Sequence, residues 1–76
     1  MPYISIKAYP KDEKTKREVA EAINRIFLEK WGCSQEAISI GFEEFAPDDW
    51  AREVREKEIL PNAENLTICE GKRNNS

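Results

Sequence analysis

Pro2 is the residue of this chain best placed for unusual chemistry. It follows Met1 and opens the run Tyr3-Ile4-Ser5-Ile6-Lys7-Ala8-Tyr9. Removal of Met1 after synthesis would leave its nitrogen as a free secondary amine. Such an amine is a base with no side-chain flexibility, held in place by whatever packs the strand behind it. The plainer role is that Pro2 only starts an edge strand, where its missing N–H costs nothing. Taken alone, these residues favour the plainer role. The other reactive side chains offer less. Cys33 and Cys69 are the only cysteines, there is no CxxC, and there is no histidine. A structural zinc needs about four nitrogen or sulfur ligands, so none is expected. A Cys33–Cys69 disulfide is open on chemical grounds, but no feature of the sequence favours it.

The elements that must position Pro2 are legible from periodicity. In the first nine residues Ile4, Ile6 and Ala8 alternate with Tyr3, Ser5, Lys7 and Tyr9, the period of a half-buried strand. Pro10 and Asp12 close it. Val19, Ala22, Ile23, Ile26 and Phe27 then fall at helical spacing, with Trp31 one turn beyond, which predicts a helix over about 13–31. Asp12 is a candidate N-cap, Thr15 with Glu18 an alternative capping box, and Gly32 a suitable residue just past the end. Glu21 and Arg25 form a favourable i,i+4 pair. From Ala37 to Phe45, Ile38, Ile40 and Phe42 alternate with Ser39, Gly41 and Glu43, a second strand. Strand, long helix and strand make a βαβ unit with parallel strands and a right-handed crossover. Pro47-Asp48-Asp49-Trp50 reads as a helix start, with proline at the first position and acids in the first turn. This helix is expected over about 48–58, stopped by Leu60-Pro61. Leu66–Cys69 reads as a brief third strand or an ordered arm, and 70–76 as a tail. The fold class expected is therefore α+β, in one domain over 1–76.

Composition narrows the class. Seventy-six residues carry 15 acids against 12 bases, a net charge of −3. That argues against a nucleic-acid partner, which calls for a basic face. The charges are interspersed, as on solvated helix faces. No basic n-region precedes an apolar run, and no stretch approaches the ~20 apolar residues of a membrane span. The expectation is a soluble cytoplasmic protein with reduced thiols and no membrane partner. Two strands and a helix are not stable alone. Two copies are thus expected to pair edge to edge, giving a four-stranded sheet with both helices on one side.

The order of the pieces now matters. A Met-Pro start, a strand Ile4-Ser5-Ile6, one long crossover helix and a strand Ile38-Ser39-Ile40 come first. Pro47-x-x-Trp50 follows, then Glu58-Ile59 and Pro61. Together they resemble the 4-oxalocrotonate tautomerase family, and most the bacterial PptA-type branch, over nearly the whole chain to about Cys69. Each motif is short; their order and spacing carry the resemblance.

The resemblance implies keto–enol tautomerisation with the amino-terminal proline as general base and no cofactor. Pro2 nitrogen would take the enol hydroxyl proton of a small enolic 2-oxo acid and return it to carbon. The amine must be neutral near pH 7, whereas an ordinary α-amino group has a pKa of about 7.7–8.0. Apolar walls disfavour the ammonium and bring the base toward the operating pH. Trp50 stands where the family carries an aromatic wall; packing the short helix is its plainer role. Lys11 stands in the loop where the parent enzymes place a substrate-binding arginine, and it offers a point charge rather than a bidentate fork. Ser39 stands where they place a second. Arg52 and Arg55 are further cations near Trp50, although solvated helix charge is the more frequent role of such residues. With both family arginines missing, a monoacid of the phenylenolpyruvate type is the easier substrate. Ser5, Lys7, Ser39 and Glu43 on the second sheet face suit a dimer better than a hexamer with that face buried. Two alternatives stay open: hydration, dehalogenation or decarboxylation with protonated Pro2 as acid, and a non-catalytic dimeric binding module on the same fold.

Overall fold

The computed structural model describes residues 1–74. They form two compact units, Met1–Phe45 and a second from Ala46 onward.

In the first unit β1, Tyr3–Ala8, runs parallel to β2, Ser39–Glu44, with Tyr3 opposite Ser39, Ile6 opposite Phe42 and Ala8 opposite Glu44. Pro2 O accepts the Ser39 N–H at 3.1 Å, and Ala8 O accepts the Phe45 N–H at 2.9 Å, so the ladder is closed at both ends. Between the strands, α1 spans Glu13–Ile26 and continues as a π-helical turn over Phe27–Trp31. Asp12 is the N-cap. Its carboxylate accepts the Thr15 N–H at 3.0 Å and the Thr15 hydroxyl at 2.7 Å, which settles the start of the helix in favour of Asp12 over Thr15 and Glu18. Gly32 stops it at φ 77°, a left-handed position that glycine takes without steric cost.

The expected 13–31 helix is present, but its last turn is wider than α. Gly32 N–H bonds Phe27 O across five residues at 3.1 Å. Widening rotates Trp31 away from the apolar stripe. It is 70% exposed, with its ring 5.3 Å from that of Phe27. β2 begins two residues later than the alternation suggests. Gln35–Ala37 form a 3₁₀ turn, and Asn24 and Gln35 exchange two amide hydrogen bonds of 2.9 and 2.7 Å that pin this turn to α1.

The faces follow from the pleat. Ile4, Ile6 and Ala8 lie with Ile40, Phe42 and Glu44 on the face toward α1, because Lys16 of α1 reaches Glu44 at 3.3 Å. Tyr3, Ser5 and Lys7 lie with Ser39, Gly41 and Glu43 on the other. There the Lys7 ammonium stands 6.0 Å from the Phe45 ring centroid.

The second unit starts with α2, Pro47–Trp50, which opens directly into a π-helical stretch, Ala51–Ile59. Its last bond runs from Leu60 N–H to Arg55 O at 2.9 Å. Together they match the helix expected over 48–58. The C-terminal part differs from expectation. The brief strand or arm expected over Leu66–Cys69 is β3, Ile68–Cys69, and it pairs antiparallel with β4, Lys72–Arg73, inside the stretch expected to be a tail. The reason is the turn between them. Glu70 and Gly71 both have positive φ, 47° and 85°, as in a type I′ hairpin. Asn74 extends the arrangement, its N–H bonding Thr67 O at 2.8 Å and its amide bonding Glu64 O at 2.7 Å. Residues 75–76, the rest of the expected tail, lie outside the described residues. Cys33 and Cys69 are both free thiols. No helix among the described residues is long and apolar enough to cross a membrane.

Candidate active site

Pro2 sits immediately before β1 and is half-buried, whereas Met1 is fully exposed. The Pro2 carbonyl is fixed by the Ser39 N–H, so the ring is held by the first rung of the sheet rather than by a loop. Two of the residues singled out from sequence, Pro2 and Ser39, are thereby brought together. Ser39 is exposed on the face away from α1, beside Tyr3, which is 75% exposed.

Lys11 is not brought to Pro2 within the chain. It follows β1, whose six residues span roughly 20 Å at about 3.3 Å each, and Pro2 precedes it. The Lys11 backbone N–H is bonded to Glu44 Oε2 at 2.9 Å. Among the described residues its ammonium makes no ion pair. Lys16 by contrast is engaged. Its ammonium lies 3.0 Å from Glu13 and 3.3 Å from Glu44, and the Glu13 contact foremost holds it above the ordinary lysine range.

In the second unit Trp50 is half-buried at the end of α2, its N–H bonded to Ala46 O at 3.1 Å. Arg52 is 65% exposed and held by acids on its own helix, Glu53 at 3.0 Å and Asp49 at 3.1 Å. Glu53 foremost raises its pKa. Glu53 also takes Lys57 at 3.1 Å. Arg55 makes a forked contact with Glu70 through Nε at 2.7 Å and Nη2 at 3.2 Å. These guanidinium groups are already matched by carboxylates. The Glu53–Lys57 pair is local, four residues apart on one helix. The partnerships of Glu44 and Glu70 join residues 33 and 15 positions apart, and no local pattern announces them. Among the described residues no cluster of His, Cys, Asp or Glu is arranged to hold a metal ion.

A proline held at the head of a parallel pair, in front of a single crossover helix, is the architecture that the order of motifs implied. A family model described as "Tautomerase enzyme" matches residues 2–58. The chain belongs to the tautomerase family. It is 32% identical over 68 residues to a protein named Tautomerase PptA from Pectobacterium carotovorum subsp. carotovorum, covering 87% of this chain and 90% of that one. The protein of the same name from Pectobacterium atrosepticum matches to the same extent, and that from Escherichia coli is 31% identical over 87% of this chain and 89% of its own. Membership makes this tautomerase an enzyme of the isomerase type, with tautomerisation as its chemistry. The alternative of a binding module without activity is thereby set aside.

Proposed function

We propose that this tautomerase interconverts the enol and keto forms of a small 2-oxo acid, of the phenylenolpyruvate or 2-hydroxydienoate type, with Pro2 as general base after loss of Met1. The observation that carries the reading is the placement of Pro2. It is half-buried, its carbonyl is fixed by Ser39, and the family match begins on it. With Met1 gone the ring nitrogen is a secondary amine. It takes the proton from the enol oxygen as the C=O forms, and the electron pair of the C=C bond then takes that proton back at carbon. Atoms and charge balance within the substrate, and no other reactant is needed. The amine works best when its pKa lies near the operating pH. Trp50 is the proposed aromatic wall that disfavours the ammonium form.

The second part of the reading is a homodimer. β1 and β2 form a sheet of only two strands, and Val19, Ile26 and Trp31 remain 41%, 55% and 70% exposed. An open edge and a half-covered stripe are what a second copy would fill. A two-fold pairing is self-complementary, so two copies of one edge strand run antiparallel. That arrangement sets the Lys11 end of one β1 beside the Pro2 end of the other. Lys11 of the second copy then faces the substrate carboxylate, with Ser39 beside the amine.

The test is ketonisation of phenylenolpyruvate by wild type and by Pro2→Ala, with intact mass establishing that Met1 is absent from both. General base catalysis contributes about 10²–10⁴-fold, so kcat/KM should fall by at least about 100-fold. Equal rates would refute the role of Pro2. Sedimentation equilibrium at micromolar concentration should give a dimer, and a hexamer would overturn that part.

A further inference from the structure

Lys11 lies between two elements and belongs to neither. β1 ends at Ala8 and α1 begins at Glu13. Neither the ladder nor the helix can accept its backbone N–H. An unpaired N–H leaves a loop free to drift, so the acceptor it finds is informative. That acceptor is a side chain. Glu44, the last residue of β2 and the partner of Ala8, turns toward α1 and takes the Lys11 N–H on Oε2 at 2.9 Å. The same oxygen lies 3.3 Å from Lys16 Nζ, whose side chain is only 17% exposed. One carboxylate therefore ties three elements together: the end of the sheet, the first turns of α1 and the loop between them.

We propose that Glu44 is the positioning residue for Lys11, fixing the point at which the β1–α1 loop leaves the sheet and hence where the Lys11 ammonium meets the substrate carboxylate. This rests on the reading of Lys11 as the substrate cation given above. Pro10 has no N–H to offer, and the Asp12 carboxylate is occupied with Thr15. Because Glu44 accepts the backbone N–H, the lysine side chain is left to reach outward. The groups shown against Glu44 are the Lys11 N–H from the loop and Lys16, with its partner Glu13, from α1; its partner on β1 is Ala8. The Lys11 N–H foremost, then Lys16, holds the Glu44 carboxyl below its ordinary range, so the tie stays ionised at neutral pH.

Steady-state ketonisation of phenylenolpyruvate by Lys11→Met, Glu44→Ala, Glu44→Gln and the double variant Lys11→Met/Glu44→Ala tests this. Lys11→Met should raise KM by about tenfold with kcat nearly unchanged, the signature of lost ground-state binding. Glu44→Ala should do the same to a smaller extent. Glu44→Gln, which keeps an acceptor for the N–H, should recover most of the loss. The double variant should be no worse than Lys11→Met alone, because once the ammonium is gone Glu44 has nothing left to position. A normal KM in Glu44→Ala alongside a raised one in Lys11→Met overturns the proposal, as does a multiplicative double variant. A normal KM in Lys11→Met overturns the substrate role of Lys11 and the proposal with it. The tie has a readout that needs no turnover. The Lys11 amide proton shift should follow a carboxyl titrating below the usual glutamate range in wild type and be flat there in Glu44→Gln. If the wild-type enzyme is inactive while this titration is seen, the catalytic reading fails and the tie stands. A Lys11 amide blind to pH in wild type overturns the tie itself.

Discussion

The two units of this tautomerase are held together by different means. In Met1–Phe45 a parallel ladder closed at both ends faces a helix stripe, and Ile4, Ile6, Ile23, Ile40 and Phe42 are all at least half-buried. From Ala46 onward the chain is a short α-helical turn followed by π and 3₁₀ turns and a hairpin of two-residue strands, laced by exposed ion pairs: Arg52 with Asp49 and Glu53, Lys57 with Glu53, Arg55 with Glu70. Apolar burial contributes roughly 25 cal/mol per Å², while an exposed ion pair contributes little and is screened by salt. Pro2 and the loop carrying Lys11 therefore belong to the unit whose geometry is set by a ladder and by partial burial spread over many apolar side chains. The second unit has one buried apolar anchor, Val54 at 4% exposure, and around it contacts that salt and acid can loosen.

Activity gives the widest separation. Pro2→Ala is expected to remove at least about 100-fold of kcat/KM. Arg52→Ala, which takes away a guanidinium already matched by two carboxylates, should change it by less than about threefold. A tenfold rise in KM for Arg52→Ala would put a substrate carboxylate on that side chain and break the contrast.

Stability should separate the units next. Ile6→Ala truncates a side chain on the α1 face of β1, and large-to-small changes of this kind cost about 2–5 kcal/mol when fully buried; about 2 kcal/mol is expected for this half-buried site. Lys57→Ala removes one exposed contact and should leave the urea midpoint where it was. Equal losses would mean that the ion-pair lattice is as structural as the sheet.

Most of the first unit was legible because its rules are local and repeat. Alternation gave both strands, the 3.6-residue stripe gave α1, and Asp12 and Gly32 marked its ends. The misses share a cause. The π turn that turns Trp31 outward, the 3₁₀ turn that delays β2 and the hairpin at Glu70-Gly71 each depend on one or two backbone bonds that leave no period. Glu70 is an unusual residue for a left-handed turn position. Its carboxylate is held by Arg55, fifteen residues away, which no window over the hairpin contains. At the candidate site, the proline and its neighbour Ser39 followed from motif order. The Glu44 tie to Lys11 did not, since it links a strand end to a loop across the whole crossover.

Glycine offers the same perturbation in both units. Gly32 and Gly71 have φ of 77° and 85°, and a Cβ at either would meet no atom within 4 Å. Alanine at each is therefore penalised by backbone conformation alone, about 1 kcal/mol. Gly32→Ala should lower the global urea midpoint because it strains the stop of α1. Gly71→Ala should mainly raise hydrogen exchange at Cys69 and Lys72 and leave β1 and β2 protected. A uniform loss of protection from Gly71→Ala would show that the hairpin unfolds only with the rest of the chain.

The smallest effect expected is also the most specific to the second unit. Arg55 holds the Glu70 carboxyl below the ordinary glutamate range. A group whose pKa is depressed on folding contributes stability above its unfolded value, near 4.3, and loses it as pH falls through the lower folded value. Hairpin protection factors should therefore fall below about pH 4. At neutral pH, Arg55→Ala should show the weakened hairpin already, and about 1 M salt, with a Debye length near 3 Å, should give part of the same change. Glu44 is depressed in the same direction in the first unit, by the Lys11 N–H foremost, so acid should also loosen the β1–α1 loop. The ladder amides between Tyr3–Ala8 and Ser39–Glu44 depend on neither carboxylate side chain and should keep their protection through that window. If the hairpin keeps its own protection there, in wild type and in Arg55→Ala alike, the turn is held by its backbone bonds and the ion pair is incidental.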